Sequence, residues 1–256
     1  MTEDAFLTAY DPSAFERPAV TVDLVLMGLR EGRPAVLLVR RAEHPHAGRW
    51  ALPGSFVGLD ETLDTAAVRV LREKAGFFPA EAAGAHLEQL YTFGALDRDP
   101  RMRIVTVAYL ALLPEAAVTR ALESEAGLSA AILDVPWAGE AGGPVAAFAE
   151  GDRNRTKPLS LAFDHAEILA LAILRLRGKL DYSDIGFALL PEAFTLRQLQ
   201  DVYEAILGMS LNKPAFRRRM LDRGWLAPTG AREAGTSFRP AELYRFQKTA
   251  LIPLRP

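Results

Sequence analysis

The sequence of 256 residues contains no cysteine, so disulfide bonds and thiolate metal sites are excluded. Long apolar stretches are also missing, because no run of 18 apolar residues occurs, as a membrane-spanning helix would require. The acidic N-terminus, MTEDAFLTAYDPSAFERP, lacks the basic and then apolar order of a secretory signal. We therefore expect a cytoplasmic protein that does not contact a membrane.

Neither sign of charge is in large excess, because the chain has 30 Lys and Arg against 32 Asp and Glu, and the net charge is −2. Half of the residues are hydrophobic and about a quarter are charged, which is typical of a globular chain with a proper core. The length allows one or two domains. The charge is unevenly distributed, with a balance of −7 over residues 1–164 and +5 over residues 165–256. A basic second part indicates, weakly, a polyanionic partner.

The first part of the chain combines strand patterns with one clear helix. Strands are predicted over Ala19–Leu29, Ala35–Arg40, Leu87–Phe93 and Ile104–Leu113. A turn over residues 30–34 joins the first two strands. A helix is predicted over residues 62–75, with its apolar side formed by Ala66, Ala67, Val68 and Leu71. Shorter elements are expected over residues 114–157.

The segment Gly54–Gly76 follows a known spacing of acids but lacks two of them. The pattern G-x5-E-x7-R-E-U-x-E-E-x-G-U, with U aliphatic, is matched at Glu61, Arg69, Leu71, Glu73 and Gly76. Ser55 stands at its first glycine, and Val70 and Lys74 stand at two of its acids. The segment resembles a Nudix box, and the surrounding strands and helices fit the α/β/α sandwich that this resemblance implies.

The two replaced acids decide what chemistry remains. Val70 and Lys74 are four residues apart, so we expect them on one face of the helix. Mg²⁺ beside phosphates requires carboxylate oxygens and waters, whereas valine supplies no ligand and lysine repels the cation. Glu61 and Glu73 are left as residual candidates for weak Mg²⁺ binding. We therefore predict no catalytic residue, no required cofactor and no enzyme activity. The competing interpretation is an ordinary amphipathic helix with surface charges.

A second amphipathic helix is predicted over Phe163–Lys179. Asp164 is suited to cap its start, and basic residues lie near its C-terminal end. The helix either only packs against the core or also bridges two domains and helps to pair two subunits. We predict a sensing domain over residues 1–157, a bridging helix and linker over 158–186, and a last domain over 187–256.

The last domain has the layout of a winged helix-turn-helix. A helix is predicted from Thr195, its N-cap, to about Leu207, and Asn212 is expected to cap a second helix over residues 213–223. Strands over residues 225–229 and 239–246 flank a polar loop. On the second helix Phe216 and Met220 face inward, and three consecutive arginines point outward or sideways. This suits a helix that reads a DNA groove, although a solvated basic helix is the alternative.

The candidate DNA-binding residues lie on this helix, at the helix starts and in the wing. They are Thr195, Asn212, Lys213, Arg217, Arg218, Arg219, Arg232 and Arg239. Amides and Lys213 at the helix start suit phosphate, and arginine suits a guanine edge or a phosphate.

Several segments together resemble the NrtR family, the Nudix-related transcriptional regulators of NAD metabolism. They include HPHAGRWALPGSFV, YTFGALDRDPRMRIVTVAYLAL, LAFDHAEILALAILRLRGKLDYS, FTLRQLQDVYEAILG, FRRRMLDRGWLAPTG and FRPAELYRF. The resemblance covers most of the chain. It implies a homodimeric repressor that binds double-stranded palindromic operator DNA and senses ADP-ribose or a related nucleotide without hydrolysing it, the ligand lowering operator affinity.

A diphosphate ligand needs cations and donors. The candidate ligand-binding residues lie in or beside loops expected to face the cleft: Arg40, Arg49, Trp50, Lys74, Arg98, Arg101 and Arg103. Trp50 either stacks on a base or packs in the core. Lys74 is hypothesised to replace Mg²⁺ as a direct phosphate partner. Two other functions remain open: an active Nudix hydrolase of ADP-ribose-like substrates with an accessory winged helix, and a module whose basic tail binds an acidic protein.

Overall fold

The computed structural model describes residues 1–77, 86–124, 127–139, 141–234 and 240–247. Within these ranges the helices are α1 (Glu3–Ala9), α2 (Leu63–Ala75), α3 (Glu115–Ser124), α4 (His165–Lys179), α5 (Leu196–Leu207) and α6 (Lys213–Asp222). The strands are β1 (Ala19–Arg30), β2 (Arg33–Arg40), β3 (Trp50–Ala51), β4 (Gly54–Phe56), β5 (His86–Phe93), β6 (Ile104–Leu112), β7 (Leu128–Asp134), β8 (Ala146–Ala149), β9 (Phe194–Thr195), β10 (Leu226–Arg232) and β11 (Glu242–Phe246).

Strand β1 lies inside a mixed sheet whose main order is β5-β6-β1-β2-β7-β8. It pairs in parallel with β6 and antiparallel with β2. Successive side chains of a strand face opposite sides of the sheet. Leu24 accordingly packs in the cluster that contains α2 and α3, whereas Val25 packs in the cluster that contains α4. The predicted α/β/α sandwich is thereby confirmed.

Helix α2 confirms the helix predicted over residues 62–75. Thr62 and Thr65 form a capping box, and Gly76 ends the helix in the left-handed conformation at φ 66°. The predicted apolar side was partly wrong, because Val68 is exposed and Val70 is fully buried. Val70 therefore packs against the sheet and does not share the exposed face of Lys74. An aliphatic side chain gains from this burial where a carboxylate would lose its hydration.

Helix α4 confirms the amphipathic helix expected after Phe163. Ile168 and Leu176 are fully buried in the same cluster as the inner face of the sheet. The expected capping by Asp164 is wrong, because its side chain makes no cap hydrogen bond. Its carboxylate instead accepts two hydrogen bonds from Arg98. A guanidinium group that donates two hydrogen bonds is a stronger partner for a charged carboxylate than a backbone amide.

The C-terminal part is a winged helix-turn-helix, as predicted. Thr195 caps α5, Gly208 ends it at φ 69°, and Asn212 caps α6. Phe194–Thr195 forms a short strand, β9, which pairs with β11, although the sequence predicted the start of a helix. Strand β10 extends to Arg232, into the expected loop. Among the described residues, no helix combines the length and the apolar character needed to span a membrane.

Candidate functional site

A cleft of about 630 Å³ opens beside the sheet of the sandwich. Its walls come from β1, β2 and β4, from the last turn of α2, from the loop before β6 and from the residues that begin α4. Polar and charged side chains dominate the loop walls, whereas Leu52, Phe56 and Phe163 supply apolar surface. A pocket of this size and mixed lining suits a small, charged ligand with a ring.

The floor of the cleft contains Asp23 and Arg98, which form a buried network of charges with Asp164, a residue outside the cleft lining. The two carboxylate oxygens of Asp164 accept hydrogen bonds of 2.8 Å from Nε and Nη2 of Arg98. Asp23 lies 3.6 Å from Arg98 and accepts a 2.7 Å hydrogen bond from the Thr106 hydroxyl. Burial alone lowers the pKa of Arg98, but Asp164 and Asp23 outweigh it and raise that pKa. Arg98 is therefore charged and held in place.

His165 completes this floor from the first turn of α4. Its Nδ1 accepts a 2.9 Å hydrogen bond from the Leu52 amide, so the proton of the neutral ring lies on Nε2, which faces Asp23 at 3.9 Å. Burial lowers the pKa of His165 despite the nearby carboxylates of Asp23 and Asp164. The hydrogen bond from Leu52 thus ties the first turn of α4 to the backbone between β3 and β4. Position 54, next to Asp23, requires a glycine, because a Cβ there would lie 2.1 Å from an Asp23 carboxylate oxygen.

The guanidinium group of Arg69 joins the two remaining acids of the altered box. Arg69 donates to both oxygens of Glu61 at 2.6 and 2.9 Å and to Glu73 at 3.3 Å. The hydrogen bonds from Arg69 and from the Gly58 amide lower the pKa of Glu61 to about 2. Glu61 is therefore an anion whose lone pairs already have partners.

The residues at the box do not fit a Mg²⁺ site. Val70 has no donor atom, Glu61 is taken by Arg69, and Lys74 places a cation in the cleft. No group of three or more His, Cys, Asp or Glu suited to a metal occurs in the described part of the chain. Hard divalent cations need several oxygen ligands at close range, which this donor set does not supply.

Basic side chains surround the mouth of the cleft. Lys74 lines it, is exposed, and forms no hydrogen bond or ion pair with any described residue. Among the described residues, the side chain of Arg40 donates to the Gly48 carbonyl oxygen alone, at 3.3 Å. Arg41 lies over the Phe163 ring at 4.8 Å, and Arg101 is paired with Asp99. The rim can therefore receive an anion without first breaking a strong contact at Lys74.

The predicted ligand-binding residues, all of them described, divide into two groups. Arg40, Lys74, Arg98 and Arg101 line the cleft together, whereas Arg49, Trp50 and Arg103 lie outside its lining. Arg49 is exposed. Trp50 is half-buried against the hydrophobic core, and its amide pairs with the Ser160 carbonyl, which agrees with the packing alternative. Arg103 donates to the Ala95 carbonyl oxygen at 2.8 Å.

The residues of the cleft that the sequence did not predict include Asp23, Arg41, Phe163 and His165. Asp23 carries a usable signal, because a carboxylate interrupts the apolar strand AVTVDLVLMG and a buried acid needs a partner. Arg41 directly follows β2 and is adjacent in sequence to Arg40, a predicted ligand-binding residue. No local signal marks Phe163 or His165, which the packing of α4 brings to the cleft.

The candidate nucleic-acid surface is the outer side of α6. Lys213, Arg217 and Arg218 are exposed there, while Phe216 and Met220 are buried against α5 and the core. The Asn212 side chain accepts a 3.0 Å hydrogen bond from the Ala215 amide. The apolar back and the cationic front are those that a groove-binding helix requires.

The other predicted DNA-binding residues differ in exposure and in their contacts. Arg219 lies over the Phe216 ring at 5.6 Å and 3.4 Å from Asp181. Arg232 is exposed at the end of β10. Thr195 is buried, and its hydroxyl caps α5. Arg239 lies outside the described residues.

Two family models match separate parts of the chain. Residues 17–115 match the family model of the NUDIX domain, and residues 186–246 match that of the NrtR DNA-binding winged helix domain. The ADPR responsive transcriptional repressor NtrR of Acinetobacter baylyi is 36% identical over 247 residues, which are 96% of this chain and 88% of that relative.

Two further similarities complete the comparison. The crystal structure of Shewanella oneidensis NrtR complexed with a 27mer DNA has a TM-score of 0.70 and 34% identity, covering 89% of this chain and 93% of its own. An ADP-ribose pyrophosphatase of Methanocaldococcus jannaschii is 34% identical over 93 residues, which are 36% of this chain and 50% of that relative. The similarity to the regulators thus extends over both parts of the chain, and that to the enzyme over one.

Proposed function

The chain belongs to the NrtR family of Nudix-related transcriptional regulators, and on that premise we propose that it is a transcriptional repressor that releases operator DNA when ADP-ribose or a related nucleotide fills the cleft. The Acinetobacter baylyi relative is an ADPR-responsive repressor, and the Shewanella oneidensis relative has been crystallised with DNA. Both similarities support a chain that combines a nucleotide sensor with a DNA reader.

One observation carries the sensing part of the proposal. Lys74 is an exposed cation that lines the cleft and has no hydrogen-bond or ion-pair partner among the described residues, and it stands at a position where the Nudix pattern has an acid. An ammonium group there pairs directly with a diphosphate, whereas an acid would need a metal ion between them. Arg40 and Arg101 on the rim are placed to add donors to the same ligand. The cleft is therefore suited to hold a pyrophosphate and not to cut it.

The absence of hydrolysis is part of the proposal and follows from the donor set. Hydrolysis of a pyrophosphate on a Nudix scaffold depends on acids that hold metal ions, and metal ions stabilise the attacking and leaving oxygens. Val70 and Lys74 remove two of those acids. Glu73 and Asp99 remain at the cleft, but both already accept hydrogen bonds from arginines.

The reading part of the proposal rests on α6. Arg217 and Arg218 extend from it into solvent, and two-fold related copies of such a helix contact half-sites one DNA turn apart, about 34 Å. We propose that the protein acts as a homodimer on a palindromic operator near genes of NAD metabolism. Such a repressor works where the DNA is, in the cytoplasm.

A titration with operator DNA tests the proposal. Genomic fragments bound by the purified protein are selected, and one selected duplex is titrated with the full-length chain at several salt concentrations. We expect specific binding that weakens steeply with salt, by about 10³-fold between 50 and 200 mM for six phosphate contacts. ADP-ribose is expected to release the duplex. Binding to every duplex with equal affinity, or no response to ADP-ribose or related nucleotides, would contradict the proposal.

An active hydrolase is the second candidate, because the pyrophosphatase of Methanocaldococcus jannaschii is 34% identical over 93 residues. Incubation with ADP-ribose and Mg²⁺ separates the two functions: the repressor leaves the ligand intact, and the enzyme forms AMP. An acidic protein partner of the basic C-terminal part is the third possibility. It predicts no preference of the protein for one DNA sequence over another.

A further inference from the structure

Phe56 is an aromatic residue of the cleft that takes no part in the hydrophobic core. It lines the cleft and is 46% exposed, and it belongs to neither of the two clusters that fill the sandwich. Burial of an aromatic ring is strongly favourable. A ligand that covers Phe56 therefore gains a burial term that the fold itself leaves unused.

The pairing of β4 with β1 places the Phe56 side chain on the cleft side of the sheet. Phe56 lies opposite Thr21, and Gly54 lies opposite Asp23. Side chains that are directly opposite in two paired strands, or two residues apart in one strand, share a face of the sheet. Thr21 and Asp23 both line the cleft, so the Phe56 ring stands on the same wall.

Arg69 holds Phe56 beside the end of α2 that carries Lys74. Its Nη2 donates to the Phe56 carbonyl oxygen at 3.0 Å, and its Nη1 donates to Glu73 at 3.3 Å. Glu73 directly precedes Lys74, and both residues line the cleft. The ring of Phe56 and the ammonium group of Lys74 therefore belong to neighbouring backbone segments. One ligand with a base at one end and phosphates beyond it can contact both.

Arg101 completes this part of the cleft. Its guanidinium carbon lies 5.7 Å from the centre of the Phe56 ring, near the limit of about 6 Å for a cation–π contact, so it does not cover the ring closely. Asp99 fixes the guanidinium group by accepting hydrogen bonds from Nε and Nη2 at 3.0 and 2.8 Å. A guanidinium plane held beside an aromatic ring can stack on the same ligand and donate hydrogen bonds to it.

The second phenylalanine of the cleft is less available. Arg41 lies over the Phe163 ring at 4.8 Å. His46 meets the same ring edge-on, with 4.8 Å between the ring centres. Phe163 is also half-buried. Its ring is already engaged by side chains of the protein, whereas Phe56 presents open aromatic surface.

We infer that Phe56 is the platform on which the base of the bound nucleotide stacks, so that the cleft selects a diphosphate that carries an aromatic base over one that lacks it. This inference rests on the proposed function and identifies the base-binding part of the same cleft. Every nucleobase has a π face, and removal of one base–aromatic stack weakens binding about 5- to 150-fold. Lys74 recognises the phosphates, and Phe56 recognises the base.

Phe56→Ala tests this assignment in the full-length protein with two ligands. Calorimetry should show that ADP-ribose binds the variant about 5- to 150-fold more weakly than the wild type. Inorganic pyrophosphate, which has the phosphates without the base, should bind both proteins equally, whereas Lys74→Ala should weaken both ligands. The concentration of ADP-ribose that releases half of the selected duplex should rise for Phe56→Ala by the factor of the lost affinity, because a ligand acts only through its binding.

Two further substitutions at the same position separate the ring from its bulk. Phe56→Tyr keeps an aromatic face and should bind ADP-ribose nearly as the wild type does. Phe56→Leu keeps an apolar side chain without that face and should lose affinity, and it replaces Phe56→Ala if the latter does not fold. This contrast also decides the matter if pyrophosphate binds too weakly to measure. Phe15→Ala is the matched control, because Phe15 is 60% exposed and lies outside the cleft lining, and it should alter neither affinity.

The outcomes separate this inference from the proposed function. If the wild type binds neither ADP-ribose nor a specific duplex, the proposed function and the inference fall together. If the wild type responds and Phe56→Ala binds ADP-ribose as tightly, the inference alone is wrong. It is also wrong if Phe56→Leu binds as well as Phe56→Tyr, or if pyrophosphate and ADP-ribose lose affinity equally, because the ring would then shape the whole cleft.

Discussion

The Nε atom of Arg177 lies 2.6 Å from the carbonyl oxygen of Ile206, and this hydrogen bond joins α4 to the last turn of α5. The guanidinium group also lies 4.1 Å over the ring of Trp137. Burial lowers the pKa of Arg177, and its Nη2 has no hydrogen-bond partner among the described residues. A buried cation of this kind is costly unless its contacts are kept.

Arg177→Met is therefore expected to destabilise the protein. The change leaves the carbonyl oxygens of Ile206 and Trp137 without their donors, at a cost of ~1–3 kcal/mol for a buried acceptor left unsatisfied. Denaturation by urea, followed by circular dichroism, measures the loss in the free energy of unfolding. Arg72→Met, on the exposed side of α2, should have almost no effect. An unchanged midpoint for Arg177→Met would mean that the contact contributes nothing to stability.

Lys74→Ala is expected to weaken ADP-ribose binding. Loss of a hydrogen bond to a charged group costs ~1.5–3 kcal/mol, which corresponds to a fall in affinity of about 10- to 150-fold. Calorimetry measures the dissociation constant. Arg72→Ala removes an equal charge from the same helix outside the cleft and should leave the constant unchanged. Equal affinities of Lys74→Ala and the wild type would show that Lys74 does not contact the ligand.

Arg218→Ala is expected to reduce specific DNA binding by ~1–3 kcal/mol without loss of the fold. Arg218 is exposed on the outer side of α6, where an arginine reaches a guanine edge or a phosphate. A gel-shift series with the selected duplex and with an unrelated duplex measures the change for each. If only the selected duplex is affected, the side chain reads bases. If neither duplex is affected, the assignment of α6 to the groove is wrong.

Val70→Glu restores one acid of the Nudix pattern, yet we expect no hydrolysis. The side chain of Val70 is fully buried between α2 and the sheet, so a carboxylate there would be desolvated and would raise its own pKa. We expect a loss of stability of at least ~2 kcal/mol and no AMP from ADP-ribose with Mg²⁺. Val68→Glu, on the exposed side of the same helix, should be tolerated. Rapid formation of AMP by Val70→Glu would show that the site still supports metal chemistry.

Glu88 makes stability depend on acid pH. Burial by itself raises the pKa of Glu88, but hydrogen bonds with His86 and Lys179 outweigh it and lower the pKa to about 2, from an ordinary value of 4.5. A lowered folded-state pKa means that the stabilisation is complete above about pH 4.5 and is lost as the pH falls through about 2. The Lys179 contact, at 2.5 Å, joins β5 to the end of α4.

Glu88→Gln should therefore be less stable than the wild type at pH 7, by up to ~3 kcal/mol. The difference should shrink below about pH 4.5 as the wild type loses its own contribution. Urea denaturation at pH 7, 5, 4 and 3 measures it. Glu123→Gln, at an exposed site on α3, is the control and should show no such trend. A difference that stays constant over this pH range would remove the electrostatic explanation.

The cleft shows most clearly which features the sequence could not reveal. Asp164 follows the local rule for a helix cap, yet its carboxylate binds Arg98, which is 66 residues away in the chain. Arg40 and Arg49 were equivalent in sequence, but only Arg40 lines the cleft. Val70 was expected beside Lys74 and is instead buried. In each case the position and the partners of the side chain depend on which face of a helix or strand the rest of the fold covers.

The sequence by itself determined the features that short-range chemistry controls. The caps at Thr195 and Asn212 and the stop at Gly208 were all predicted, because their hydrogen bonds and backbone angles involve residues at most four apart. The order of strands and helices, the Nudix frame and the loss of its acids also followed from local patterns. Only the tertiary structure brought Asp23, Arg98, Asp164 and His165 together and linked Arg177 to Ile206. Those contacts depend on sheet register and helix rotation, which arise when distant segments pack. Neighbouring residues can mark a buried acid such as Asp23, but they do not identify its partners.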